Sequence, residues 1–266
     1  MKRLLITGAA GSLGTIARNG LGHLADTLRL SDIADMGEAA DNEEIVTCDL
    51  TDKEAVESLV SGCDGIVHLG GCRNENTWTR IREANMDSMF NLYEAARKNN
   101  CPRIFYASSN HATGCYRQND RLDADSPTRP DGLYGLSKVF GEGMARMYYD
   151  KFGIETACVR VGSCFPVPKN HRMLATWLSP ADLLSLVDCV FRVPVLGCPI
   201  IYGASNNDAS WWNNDSVAYL GWQPKDNAEH YRKTLDATME RPAATDPNAI
   251  YQGAKNVLEG IVETPW

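Results

Sequence analysis

No apolar run of about 18 residues or more occurs in this chain, so the sequence gives no signal for a membrane-spanning helix. The opening MKRLLITGAAGSLG reaches glycine before the apolar core of a secretion signal can form. A basic stripe is also missing. Lys and Arg number 26 against 34 Asp and Glu, and the formal charge of −8 repels phosphate backbones and anionic lipid. No nucleic-acid partner and no membrane partner are expected, and the expected location is the cytoplasm. The nine cysteines contain no CxxC pair. Cys48, Cys63, Cys101, Cys158 and Cys189 are scattered through segments read below as strands and helices, so they read as reduced core thiols and no metal site is expected. There is neither an internal repeat nor a linker long enough to demand a second domain, so residues 1–266 are expected to form one domain.

What is present is a regular alternation. Apolar, β-rich runs at 3–7, 28–31, 44–48, 65–69, 103–108, 155–161 and 199–202 are separated by helical periodicity at 13–24, 52–60, 78–98, 133–152 and 180–191. That order predicts an α/β fold, a doubly wound parallel sheet of about seven strands. Such sheets bind ligands outside the carboxyl ends of their strands, so the residues just after each strand are the candidates for function. From about Ser205 the polarity is mixed and prolines break the pattern, which predicts short helices and loops beside the sheet.

The first run leads into Thr7-Gly8-Ala9-Ala10-Gly11-Ser12-Leu13-Gly14, a GxxGxxG that opens a helix. Glycine is needed where a turn takes unusual dihedrals, where backbone approaches a pyrophosphate and where helix packs close on strand. The helix start then offers N–H groups and a positive dipole to the phosphates. A glycine triplet alone also describes an ordinary turn; its position between a first strand and a helix, with Asp32 ending the second strand, favours a dinucleotide site. Asp32 is expected to accept from both adenosine ribose hydroxyls and to repel a 2′-phosphate, so NAD is preferred over NADP. Arg29 counts mildly against this, because it offers a phosphate a partner. Asp49-Leu50 and Leu69-Gly70-Gly71 fit an adenine-edge contact and a close backbone approach. A helix N-cap for Asp49 and a simple turn for the glycines fit nearly as well.

Tyr134 and Lys138 stand four apart in LYGLSK, and on a helix both fall on one face. A phenol has an ordinary pKa near 10 and needs a nearby cation to act as a base near neutral pH, which Lys138 supplies. Ser109, after the fifth strand, is placed to hydrogen-bond the oxygen of a carbon being oxidised.

TGxxGxxG, Ser109 and YxxxK together resemble the extended, epimerase-like branch of the short-chain dehydrogenase/reductases. The segments SDI (31–33), ASSNH (107–111), QNDRLDADSPTRPDGLYGLSK (118–138), RVGSCFP (160–166), RMLATWLS (172–179), IYGAS (201–205), WWNND (211–215) and IYQG (250–253) are similar to the uronate dehydrogenase family. That resemblance implies a Rossmann-like fold whose small C-terminal region, about 163–266, covers the substrate. It implies NAD-dependent oxidation of galacturonate or glucuronate at C1 to the aldarolactone, with Tyr134 as base. Lys138 also grips the nicotinamide ribose, and Ser109 orients the hydroxyl. Ile33 and Asn85 join the cofactor contacts. Asn110 and His111 match residues that touch sugar hydroxyls, and Ser163 and Arg172 match those that hold the carboxylate, for which an arginine fork is well suited. Taken without the family, Arg172 reads as a surface arginine, His111 as a satisfied loop histidine and Ser163 as a turn residue. Trp177, Trp211 and Trp212 read as packing, not as a sugar-stacking platform.

One segment departs from the family. After Gly70-Gly71 the family continues with a small apolar residue and a serine that touches the sugar, whereas this chain reads Cys72-Arg73-Asn74-Glu75. Arg73 then alters sugar preference, recruits a second anionic group or swings to solvent. Two rival readings remain. A nucleotide-sugar epimerase or dehydratase is disfavoured by Asn110-His111 in place of an acidic pair. A non-catalytic NAD sensor is disfavoured because Tyr134 and Lys138 are both present. Relatives often pair through the helices at 78–98 and 134–152, so Phe90, Leu92, Tyr93, Met147 and Tyr148 are candidates for a homo-oligomer contact or for packing on their own sheet.

Overall fold

The computed structural model describes residues 1–262. Its strands are β1 (Arg3–Thr7), β2 (Thr27–Asp32), β3 (Glu43–Thr47), β4 (Gly65–His68), β5 (Arg103–Ser109), β6 (Glu155–Val161), the two-residue β7 (Ser163–Cys164) and β8 (Trp177–Leu178), and β9 (Ile200–Gly203). Its helices are α1 (Ser12–Gly20), α2 (Lys53–Val60), α3 (Trp78–Ile81), α4 (Ser88–Lys98), α5 (Leu133–Phe152), α6 (Met173–Thr176), α7 (Pro180–Arg192), α8 (Arg232–Thr238) and α9 (Pro247–Ile250). Seven strands form one sheet in the order β3-β2-β1-β4-β5-β6-β9, every ladder parallel.

The twofold alternation of strand side chains builds a core on each face of the sheet. Leu4, Ile6, Phe105 and Val159 pack with Ala17 of α1 and with Leu183 and Leu186 of α7. Leu5, Ile104, Tyr106 and Cys158 pack with Val56 of α2, Leu92 of α4 and Tyr148 of α5. Covering both faces is what an all-parallel sheet requires. The strand order reverses between β1 and β4, and there the carboxyl ends open onto a crevice.

Several boundaries differ from expectation. The run at 78–98 is interrupted by a π-helical turn, Arg82–Asp87, which re-aims Asn85. Helix α1 stops at Gly20, with the Leu21 N–H closing on the Ala17 carbonyl. β5 reaches Ser109, so this residue ends a strand and also caps the 3-10 turn Asn110–Thr113. The β7–β8 ladder was invisible to periodicity because each strand has only two residues. Beyond Ser205 the chain forms the expected short helices and loops.

Of the apolar residues proposed for an oligomer contact, Leu92, Tyr93 and Tyr148 are buried against their own sheet. Phe90 and Met147 are instead exposed, at 46% and 42%. Cys48, Cys63, Cys101 and Cys158 are buried free thiols, and Cys189 is half-buried. Trp177 and Trp211 are buried, and Trp212 stacks on Tyr202 with centroids 5.0 Å apart. Among the described residues no helix is long and apolar enough to cross a membrane.

Candidate active site

The crevice at the reversal point has a volume of about 770 Å³ and is walled by the carboxyl ends of β1, β2, β4, β5 and β6. At its β1 wall the chain turns through Gly8, whose φ of +70° suits glycine. A Cβ on Gly14 would lie 2.2 Å from the Gly8 carbonyl oxygen, so the helix rests directly on the turn. Gly11 gives α1 no side-chain cap, which leaves the N–H groups of Ser12, Leu13 and Gly14 facing the crevice without a side-chain acceptor. This is a fitting cradle for a pyrophosphate.

Asp32 ends β2 at the same wall. Its carboxylate accepts from the Ala10 N–H and the Ala34 N–H, both at 3.1 Å, which fixes it between the glycine loop and the exposed Ile33. Arg29 is turned elsewhere, donating to Glu44 at 2.8 Å and to the Leu59 carbonyl at 2.7 Å, so it offers nothing to a phosphate at Asp32. Asp49 is not a helix cap; Asp52 caps α2, while Asp49 accepts from the N–H and hydroxyl of Thr51. Those bonds hold its carboxyl below the usual range. Asp49 and Leu50 line the crevice, as do Leu69, Gly70 and Gly71. Asn85 does not line it. Its amide is spent on the Cys72 backbone, at 2.6 Å to the N–H and 3.0 Å to the carbonyl, and on Ser137 at 2.9 Å.

The other half of the crevice holds Ser109, Tyr134 and Lys138. Helix α5 brings Tyr134 and Lys138 to one face, with the Lys138 nitrogen 5.5 Å from the Tyr134 ring centroid. Lys138 donates to the Ala107 carbonyl at 2.9 Å and is buried. Burial pushes its pKa down to about 8, against the pull of Cys72 and Glu142. Burial also pushes the Tyr134 phenol up to about 12, opposed by its hydrogen bond with Ser109. Burial thus works against ionising the phenol, and the hydrogen bond with Ser109 works for it. Helix α5 is seated by a buried ion pair, in which Arg160 of β6 donates to both oxygens of Glu142 at 2.9 and 2.8 Å.

His111 reaches the crevice with its ring edge-to-face on Tyr134, centroids 5.7 Å apart, and its Nδ1 lies 2.7 Å from the Asp131 carboxylate. Ser163 also lines the crevice and shares a hydrogen bond with Thr176 at 3.1 Å. Asn110 and Arg172 sit one step behind the wall. With its amide assigned by the groups around it, Asn110 donates to the Val161 carbonyl at 3.2 Å and accepts from Arg172 at 2.8 Å. Arg172 also donates to the Gln252 carbonyl at 2.8 Å, and its guanidinium lies 5.9 Å from the Trp211 ring. Burial lowers its pKa to about 10, against the pull of Asp131. Arg73 is exposed at the crevice edge, with Arg80 and Lys169 also along the lining.

Sequence reasoning missed Glu75, Asp131, Thr176, Glu142 and Gln252. Gln252 is completely buried; its side chain accepts from the Trp212 indole and donates to the carbonyls of Arg117 and Asp120, while its own carbonyl holds Arg172. The one signal for it was the IYQG segment, which carried no chemistry by itself.

A family model described as "NAD dependent epimerase/dehydratase family" matches residues 4–182. A uronate dehydrogenase of Agrobacterium fabrum is 55% identical, over 95% of this chain and 96% of that one. The crystal structure of uronate dehydrogenase from Agrobacterium tumefaciens, a mutant complexed with NAD, superposes with a TM-score of 0.98 at 53% identity, covering 99% of this chain and 100% of that one. Glucuronic acid dehydrogenase from Chromohalobacter salexigens superposes at 0.96 with 52% identity, covering 98% of each chain. With its glycine cradle, its Asp32 and its Ser109, Tyr134 and Lys138 in one crevice, the chain belongs to the NAD dependent epimerase/dehydratase family and, within it, to the uronate dehydrogenases.

Proposed function

We propose that this protein oxidises a hexuronate, galacturonate or glucuronate, at the anomeric carbon with NAD and releases the aldarolactone. The observation that carries this reading is the convergence of Ser109, Tyr134 and Lys138 in the crevice beside the glycine cradle. The cradle fits the dinucleotide: uncapped N–H groups for the pyrophosphate, Asp32 for the adenosine ribose, and Asp49 and Leu50 toward the adenine. NAD, when bound, accepts the hydride from C1.

The chain's own residues do the rest. Ser109 holds the C1 hydroxyl and the phenol, its hydrogen bond drawing the phenol's pKa down against burial, and Tyr134 as the phenolate takes the hydroxyl proton. Lys138, fixed on the Ala107 carbonyl, keeps an ammonium beside the phenolate and grips the nicotinamide ribose. His111, with Nδ1 committed to Asp131, turns Nε2 to a sugar hydroxyl. Ser163 and the half-buried guanidinium of Arg172, which makes no ion pair among the described residues, receive the substrate carboxylate, and Asn110 acts by holding Arg172. In this assignment the chain is one domain, with the part from about Ser163 onward supplying the substrate side. The exposed Phe90 and Met147 belong to a contact between copies, and the free thiols suit the reducing cytoplasm.

The test is direct. Purified protein with NAD forms NADH when given galacturonate or glucuronate, whereas a neutral aldose is turned over poorly. Turnover of a neutral aldose with neither uronate active overturns the substrate assignment.

A further inference from the structure

Helix α5 starts at Leu133 without a cap of its own. Gly132, at its N-cap position, has no side chain, and its extended backbone (φ −178°) is one that any residue can adopt. The cap comes from 58 residues earlier. One carboxylate oxygen of Glu75 accepts from the Leu133 N–H at 2.8 Å, and the other accepts from the Tyr134 N–H at 2.9 Å. A Cβ on Gly132 would lie 2.4 Å from the Glu75 carboxylate, so the missing side chain is what lets the acid in. A carboxylate on the first N–H groups of a helix also lies at the favourable end of its dipole.

Glu75 belongs to the same short loop as Arg73, and that loop is anchored independently. Cys72 is clamped through its N–H and carbonyl by Asn85, whose amide reaches on to Ser137 of α5. The loop is thus tied to the helix twice, at Ser137 and at the backbone of Tyr134 itself. A cap from a neighbouring residue stabilises a helix end, whereas this one fixes the start of α5 against the crevice edge.

We infer that Glu75 is a positioning residue for the base: its carboxylate sets where Tyr134 leaves the helix, and so where the phenol oxygen meets Ser109. The phenol has little freedom to compensate. His111 packs on its ring, Lys138 lies one turn along, and Cys72 and Asp131 act on it electrostatically. A small displacement of the helix start moves the oxygen away from the reacting hydroxyl, and errors near 1 Å cost on the order of 100-fold in rate.

This inference rests on Tyr134 being the base, and the experiment separates the two. Single-turnover hydride transfer is followed with NAD-saturated protein and galacturonate for wild type, Glu75→Ala, Glu75→Gln, Gly132→Ala and Tyr134→Phe. Glu75→Ala is expected to slow the rate constant about 10- to 100-fold while the KM for NAD stays within about twofold. Glu75→Gln keeps one acceptor and loses less. Gly132→Ala, which displaces the carboxylate without removing it, is expected to fall between wild type and Glu75→Ala. A purely structural role lowers the fraction of active molecules and leaves the single-turnover constant of the remainder untouched. Wild-type constants in Glu75→Ala overturn the inference; if that variant does not fold, Glu75→Gln and Gly132→Ala decide by the same criterion. Wild-type constants in Tyr134→Phe overturn the assignment of the base, and the inference falls with it.

Discussion

The Nδ1 atom of His111 lies 2.7 Å from a carboxylate oxygen of Asp131, and the aspartate side chain is only 2% exposed. The slot that holds Asp131 exists because two neighbours lack side chains: a Cβ on Gly114 or Gly253 would lie 2.0 or 1.9 Å from its carboxylate. A carboxylate oxygen accepts in this pair, so the pairing places a hydrogen on Nδ1 and holds the ring's orientation. Asp131→Asn keeps the volume and removes the charge. It is expected to lower kcat/KM for the uronate about 10-fold, mostly through KM, and steady-state kinetics beside a thermal melt check it.

Lys138 gives a pH signature that does not depend on turnover. Its folded pKa, about 8, lies below the ordinary value of 10.5, so between those pH values the unfolded chain binds a proton that the native protein has lost. Stability contributed by this site therefore rises with pH across that window. Lys138→Met lacks the titration, so its Tm minus that of wild type is expected to shrink as pH rises from about 7 to 10. A difference that stays flat or grows contradicts a depressed lysine.

Arg172 is half-buried, its hydrogen bonds go to neutral groups while Asp131 acts on it through space, and it is the group assigned to the substrate carboxylate. Arg172→Ala is expected to raise KM for galacturonate about 100-fold or more while changing KM for NAD little, in line with losing a charge-assisted pair. A neutral aldose should be indifferent to the change. Equal losses on both substrates point to a folding role.

In the proposed cofactor site Asp32 takes the adenosine ribose hydroxyls, where its charge repels a 2′-phosphate. Asp32→Ala is expected to narrow the preference for NAD over NADP by roughly 10-fold or more, measured as the ratio of kcat/KM values. An unchanged ratio moves the ribose elsewhere.

Arg73 tests the departure from the family pattern. It lies at the crevice edge on the loop that Glu75 and Asn85 anchor. Arg73→Ser is expected to change the ratio of kcat/KM between uronates and aldoses carrying other anionic groups by about 10-fold, with the fold intact. The same ratio in both proteins places the guanidinium in solvent.

What the chain revealed before its structure was what local pattern can carry. The β1 turn announced itself through Gly8 and Gly14, and β2 through the apolar run that ends at Asp32. Tyr134 and Lys138 were legible because one helical turn separates them. The missing pieces have partners far along the chain. Glu75 caps a helix 58 residues later, and Gln252 holds Arg172 from 80 residues away, separations with no periodic trace. The π turn at Arg82–Asp87 escaped because its residues satisfy an ordinary helical pattern, and it is this turn that carries Asn85, the residue bound to Cys72. The burial that raises the phenol's pKa was not legible either, because it depends on how much water the folded chain lets reach Tyr134.

The carbonyl on which Arg172 rests belongs to residue 252, whereas the glycine cradle, Asp32 and the Gly70-Gly71 turn all lie within the first 71 residues. The sugar half of the crevice therefore depends on the last stretch of the chain in a way the dinucleotide half does not. A change that shifts the Gln252 backbone would reach the sugar acid through Arg172 and leave the pyrophosphate cradle where it is.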